Sequence, residues 1–152
     1  MNSQHFTTSI VVPQSPAEVF DAVNKPKLWW SHDIEGSTDK LDDEWIYRFK
    51  DSHRSKIKVI QLDPGKKVVW LVEENYMKGI KDQSEWVGDK ITFDISREGD
   101  KTRLVFTQFG LTPACECYDA CNHGWTGFIQ KSLYSLITTG KAQPKWYEPA
   151  AG

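Results

Sequence analysis

Cys115, Cys117, Cys121 and His123 fall within one short stretch, and thiolate with imidazole is the donor set that holds zinc. On a helix, however, His123 stands roughly 160° around the axis from Cys121, and no second Cys or His pair occurs at a zinc-like spacing. No metal site is expected there. An odd number of cysteines in such a chain argues for reduced structural thiols over a disulfide framework. A nucleophilic cysteine needs a neighbouring base, and none is identifiable. Nor is there a Ser-His-acid order, a carboxylate pair with a shared face, a phosphate-cradling glycine loop or a cofactor fingerprint. No catalytic residue, metal or cofactor is therefore assigned, although an enzyme working in a cavity with one or two polar side chains would carry no such motif.

The remaining chemistry lies on strands. Period-two alternation sets Trp45, Tyr47 and Phe49 on one side of a strand, Val68, Trp70 and Val72 on one side of another, and Ile91, Phe93 and Ile95 likewise, with Leu104, Phe106 and Gln108 completing the set. Glu74 shares the parity of Trp70. Buried, it would titrate high and serve as a ligand anchor or proton acceptor; at a strand end in water, the default for a glutamate, it would do neither.

These strands run over Phe6–Val12, Glu44–Lys50, Arg54–Leu62, Lys66–Glu74, Lys90–Arg97 and Lys101–Phe109, and turn signals such as Asp63-Pro64-Gly65 and Glu98-Gly99-Asp100 favour an antiparallel meander. Ser15-Pro16-Ala17-Glu18 has capping-box spacing and opens a short helix ending near Asn24. Pro26 starts another short turn containing Trp29 and Trp30. Residues 75–89 read as a flap or strand extension. A long helix is expected from just after Pro113 to about Thr139, stopped by Gly140. At 100° per residue, Cys117, Cys121, Trp125, Phe128, Ile129, Ser132 and Leu136 share its inner face.

The 152 residues suit one domain, with a core over about residues 5–140 and a C-terminal tail over 141–152. Seven Trp, seven Phe and five Tyr supply the core, while 26% charged residues keep the surface wet. A net charge of -2 without a like-charge run excludes a nucleic-acid footprint. Met1–Thr8 lacks the basic and apolar regions of a signal peptide, and no apolar run is long enough to span a membrane, so a cytoplasmic address is expected.

Several of these segments carry a family resemblance: Ile10-Val11-Val12-Pro13 with Ser15–Phe20, Asp63-Pro64 before a strand, Trp86 leading into Ile91-Thr92-Phe93, Thr102-Arg103-Leu104 running to Gly110-Leu111, and Gly124-Trp125 on the last helix. From about His5 to Gly140 the chain resembles the activator of heat-shock protein 90 ATPase homologue-like proteins of the START-like (SRPBCC) superfamily. The resemblance implies an α+β, helix-grip (birch-pollen-allergen-like) fold: an antiparallel sheet of about seven strands, two short helices after the first strand, and a long C-terminal helix closing a deep apolar pocket. Members often carry a His in the strand before the Gly-Leu pair, where this chain has Gln108.

Within that fold the candidate ligand-binding residues are Trp45, Tyr47, Trp70, Glu74, Trp86, Phe93, Phe106, Gln108, Cys121, Trp125 and Phe128. Each taken singly is by default core packing; the fold shifts the set toward a cavity. The expected function is binding of a small hydrophobic or amphipathic ligand, such as a lipid, by a stress-related regulator without enzymatic activity. The alternatives are a co-chaperone-like interaction module and a cavity enzyme of the polyketide-cyclase type. Ile46, Ile60, Leu62, Val69 and Leu71 on the opposite strand faces offer a surface for a homodimer or chaperone partner, unless a bulge turns some of them inward.

Overall fold

The computed structural model describes residues 5–146. The polar opening Met1–Gln4 and the loose tail expected over Tyr147–Gly152 lie outside the described residues. Seven antiparallel strands form one sheet in the order β1-β7-β6-β5-β4-β3-β2: β1 (Phe6–Val12), β2 (Ile34–Glu35), β3 (Glu44–Phe49), β4 (His53–Asp63), β5 (Lys67–Met77), β6 (Lys90–Glu98) and β7 (Lys101–Phe109). The helices α1 (Pro16–Val23) and α2 (Pro26–Trp29) follow β1, and a C-terminal helix crosses the concave face, so the expected helix-grip architecture is present. Among the described residues no helix is long and apolar enough to cross a membrane.

The start of α1 follows its sequence signature. Ser15 Oγ accepts from the Glu18 amide at 3.2 Å and the Glu18 carboxylate accepts from the Ser15 amide at 3.2 Å, closing the capping box around Pro16.

Two bulges on the β4–β5 ladder change which residues face inward. Lys56 pairs with Glu74 but Ile57 with Val72, leaving Glu73 as an extra residue on β5; Val59 pairs with Trp70 but Gln61 with Val69, leaving Ile60 extra on β4. An extra residue reverses the alternation beyond it. Val68, Trp70 and Val72 point inward as the pattern predicts, but past the bulge Asn75 and Met77 point inward and Glu74 turns out to solvent. On β4 the second bulge turns Leu62 back onto the core. The outer apolar surface shrinks accordingly, since Val69 is itself buried and Ile46, Ile60 and Leu71 are half-buried.

The last helix also departs from the sequence reading. Residues 112–117 form turns, and the helix begins at Tyr118, running as α3 (Tyr118–Gly127), a π-helical stretch (Phe128–Leu133) and α4 (Tyr134–Thr139) before Gly140 closes it in the left-handed region at φ 82°. The wider π turn buries Phe128, Ile129, Ser132 and Leu133 together. It also advances the inner stripe by one position, so that Ile137 is buried in α4 and Leu136, expected on that face, is only half-buried. Ser132 stitches this stretch to its neighbours, donating to the Trp29 carbonyl at 2.6 Å and accepting from the Gln143 amide at 3.1 Å.

Candidate functional site

The ring-bearing residues divide into a solid half and a hollow half. Trp29, Trp45, Trp70, Phe93 and Phe106 are at most 1% exposed and interlock, edge to face between Trp45–Trp70 at 4.9 Å, Trp70–Phe93 at 4.7 Å and Phe93–Phe106 at 5.3 Å, and stacked between Trp29 and Trp70 at 6.4 Å. Phe106 meets Trp125 of the C-terminal helix at 4.5 Å, so this block reaches from the sheet to that helix. Beside it, toward the β3–β4 turn and the start of α3, lies a cleft of about 430 Å³.

Five rings form a closed circuit in the wall of the cleft. Trp30 stacks on Tyr47 at 3.8 Å, Tyr47 meets His53 at 5.0 Å, His53 meets Trp86 at 4.8 Å, Trp86 stacks on Trp125 at 6.1 Å, and Trp125 returns to Trp30 at 4.7 Å. Each comes from a different part of the chain: the end of α2, β3, the start of β4, the strap between β5 and β6, and α3. Phe49, Met77, Ile80, Phe128 and Trp146 extend the apolar wall, and the exposed Lys78, Glu116 and His123 stand at the rim.

Of the residues expected to bind a ligand, Tyr47, Trp86, Cys121, Trp125 and Phe128 line this cleft. Trp45, Trp70, Phe93, Phe106 and Gln108 do not; all five are sealed in the core. Glu74 lies on the outer face with Arg54 at 3.5 Å and Lys56 at 3.9 Å, so the buried-anchor reading is corrected by the bulge at Glu73.

Inside the rim, His53 brings a polar ring to the cleft wall. Its Nε2 lies 2.9 Å from Ser55 Oγ and 3.0 Å from Asn75 Oδ1, and Ser55 donates to the same Asn75 oxygen at 2.7 Å. Burial disfavours the imidazolium and pulls His53 down to about 4, only partly offset by the Asn75 hydrogen bond, so the ring is neutral at physiological pH. Sequence reading missed His53 because it sits at a strand start, and missed Asn75 because the bulge reverses its parity. Alternation back from Ile57 through Ser55 was the signal for His53.

Gln108 serves the architecture of the site from behind. Its Oε1 accepts from Trp125 Nε1 at 2.8 Å and its Nε2 donates to Asp89 Oδ2 at 2.9 Å, which couples α3 to the end of the strap. Burial raises the Asp89 carboxyl to about 6, with the Gln108 bond opposing and the Glu85 charge assisting. Residues 75–89, expected as a flap or strand extension, extend β5 as far as Met77, and the strap beyond is held down. Glu116 accepts from the Lys81 and Asp82 amides at 3.0 Å each, and Glu85 accepts from the Glu116 amide at 2.8 Å.

The thiols are free. Cys115 donates to the Gly110 carbonyl at 3.5 Å, while Cys117 and Cys121 face one another in the cleft wall; Cys117 is lowered by its hydrogen bond with Cys121, and Cys121 is correspondingly raised. No group of three or more His, Cys, Asp or Glu among the described residues is placed to hold a metal.

Comparison with known structures returns this architecture at low identity. The Aha1 dimer from Colwellia psychrerythraea superposes with a TM-score of 0.73 at 23% identity, covering 91% of this chain and 98% of that one. DynU16, a putative protein in the dynemicin biosynthetic locus, gives 0.68 at 17% identity over 94% of this chain and 51% of its own. Protein MLL2253 from Mesorhizobium loti gives 0.67 at 17% identity, covering 87% and 96% respectively. No curated protein matches by sequence. The family model described as Activator of Hsp90 ATPase homolog 1-like protein matches residues 13–138, which is most of the chain. With the helix-grip fold in place, the chain belongs to the Activator of Hsp90 ATPase homolog 1-like family, of START/SRPBCC type.

Proposed function

We propose that the protein binds a small hydrophobic or amphipathic ligand in the aromatic cleft, as a cytoplasmic, non-enzymatic carrier or regulator. The observation behind this reading is the circuit of Trp30, Tyr47, His53, Trp86 and Trp125 in the wall of a space of about 430 Å³, within the size range of small-molecule sites. An adjoining core packed without such a space provides the contrast: the same sheet and helix fill one half with interlocked rings and hold the other half apart. The proposed role requires no bond to be made or broken.

Native mass spectrometry of the protein purified without detergent tests the reading. A retained lipophile of defined mass, lost on replacing Trp125 by a smaller apolar residue, is the expected result; a protein that carries no lipophile and takes up none of a panel of apolar compounds would contradict it.

The second reading is a protein-interaction module. It is favoured by the similarity to the Aha1 dimer. A co-purifying chaperone with an empty cleft, or a concentration-dependent dimer by sedimentation, would support it instead.

A further inference from the structure

His53 in the cleft wall belongs to a polar cluster, with Ser55 and Asn75 behind it, whose hydrogen-bonding capacity is not used up. Nε2 of His53 is committed to Ser55 and Asn75, whereas Nδ1 makes no hydrogen bond among the described residues, and the ring lines the cleft between Tyr47 and Trp86. As the groups stand, Ser55 gives its only hydroxyl proton to Asn75 Oδ1, so Nε2–H donates to both oxygens and Nδ1 carries a lone pair. Asn75 Nδ2 is then left without a partner. Rotating that amide would turn the nitrogen toward Ser55 and His53, make Nε2 the acceptor and place the proton on Nδ1. Either way Nε2 is consumed inside the cluster and Nδ1 remains for something in the cleft.

We propose that His53 Nδ1 is the polar anchor of the cleft and that the ligand it selects is an uncharged apolar molecule carrying a hydroxyl, of the phenol or alcohol class. A hydroxyl both donates and accepts, so it satisfies Nδ1 in either amide orientation of Asn75. A charged head placed against Tyr47, Trp86 and the imidazole would lose its hydration there, because the charged side chains of the cleft, Lys78 and Glu116, stand at its exposed rim. The apolar body lies along the ring circuit. This inference rests on the ligand-binding reading above and refines it.

The test compares 2-naphthol with 2-methylnaphthalene, equal in shape and different in one group, by calorimetric or fluorescence titration against the wild type and His53→Phe. The imidazole-to-phenyl change should weaken 2-naphthol about tenfold, the value of one hydrogen bond in a shielded site, and leave 2-methylnaphthalene within about twofold on the same scale. On the unaltered protein, ¹⁵N spectroscopy of the histidine ring should show Nδ1 moving on addition of 2-naphthol and Nε2 staying nearly still; this arm stands even where the variant folds poorly. Equal weakening of both probes, or an unmoved Nδ1 with 2-naphthol bound, overturns the anchor and leaves ligand binding intact. If neither probe binds the wild type, both the anchor and the ligand-binding reading fall.

Discussion

The indole N–H of Trp125 and the carboxylate of Asp89 are held by one side chain, Gln108, which accepts from the first at 2.8 Å and donates to the second at 2.9 Å. The amide is 0% exposed and forms these bonds behind the cleft wall, so it sets the tilt of Trp125 without meeting a ligand. A residue expected to bind a ligand is thus a positioning residue.

Gln108→Leu keeps the volume and removes both bonds. It leaves an indole donor and a carboxylate buried without partners, and each such group costs about 1–3 kcal/mol. Urea unfolding should therefore show a loss of about 2–4 kcal/mol. A loss below about 0.5 kcal/mol would mean that the chain of bonds contributes little.

Asp89 makes stability depend on pH in a defined direction. Its folded carboxyl is raised from 3.8 to about 6, so between those values the folded chain keeps a proton that the unfolded chain has released. Its contribution is complete below pH 3.8 and is lost as pH rises through 6, by about 3 kcal/mol in all. Asp89→Asn abolishes this titration and keeps an oxygen for Gln108. The stability of Asp89→Asn relative to the wild type should climb by up to about 3 kcal/mol between pH 4 and pH 7; a flat difference would contradict the raised value.

His53 acts with the opposite sign. Folding lowers it from 6.5 to about 4, so its contribution is present above pH 6.5 and is lost as pH falls toward 4, by about 3 kcal/mol. Histidine ring shifts followed by NMR should show His53 still neutral at pH 5.5, a full unit below the ordinary imidazole value of about 6.5. A midpoint near 6.5 would mean that the ring is not shielded.

Gly127 gives the cleft its outer wall. A Cβ there would run into the indole of Trp146, which packs on Phe128 at 5.7 Å and lies under Lys131 Nζ at 5.3 Å. Gly127→Ala favours the helix by about 1 kcal/mol in propensity but must push Trp146 outward. The expected result is near-unchanged stability with a red-shifted tryptophan emission spectrum and faster exchange of bound apolar probes; an unchanged spectrum would place Trp146 elsewhere.

How far the sequence was legible follows from periodicity. The β6 and β7 alternation and the Ser15–Glu18 box translate directly into structure because nothing interrupts their repeats. Glu74 and Asn75 exchange faces because one extra residue at Glu73 is invisible to a period of two. Leu136 and Ile137 exchange for the same reason on the helix, where the π turn adds a residue to a period of 3.6. The ring composition pointed to an aromatic interior, but alternation alone does not separate Tyr47, which borders open space, from Trp45 two residues earlier, which is sealed; that depends on where Trp30 and Trp146 fold back from distant segments.

The seven tryptophans allow the central claim to be measured in one experiment. In a ¹H–¹⁵N spectrum titrated with 2-methylnaphthalene, the indole signals of Trp30, Trp86, Trp125 and Trp146, which line the cleft, should shift saturably, while those of Trp29, Trp45 and Trp70, sealed in the core, should stay in place. Seven unmoved indole signals, or shifts concentrated on the three core tryptophans, would contradict a ligand site in this cleft.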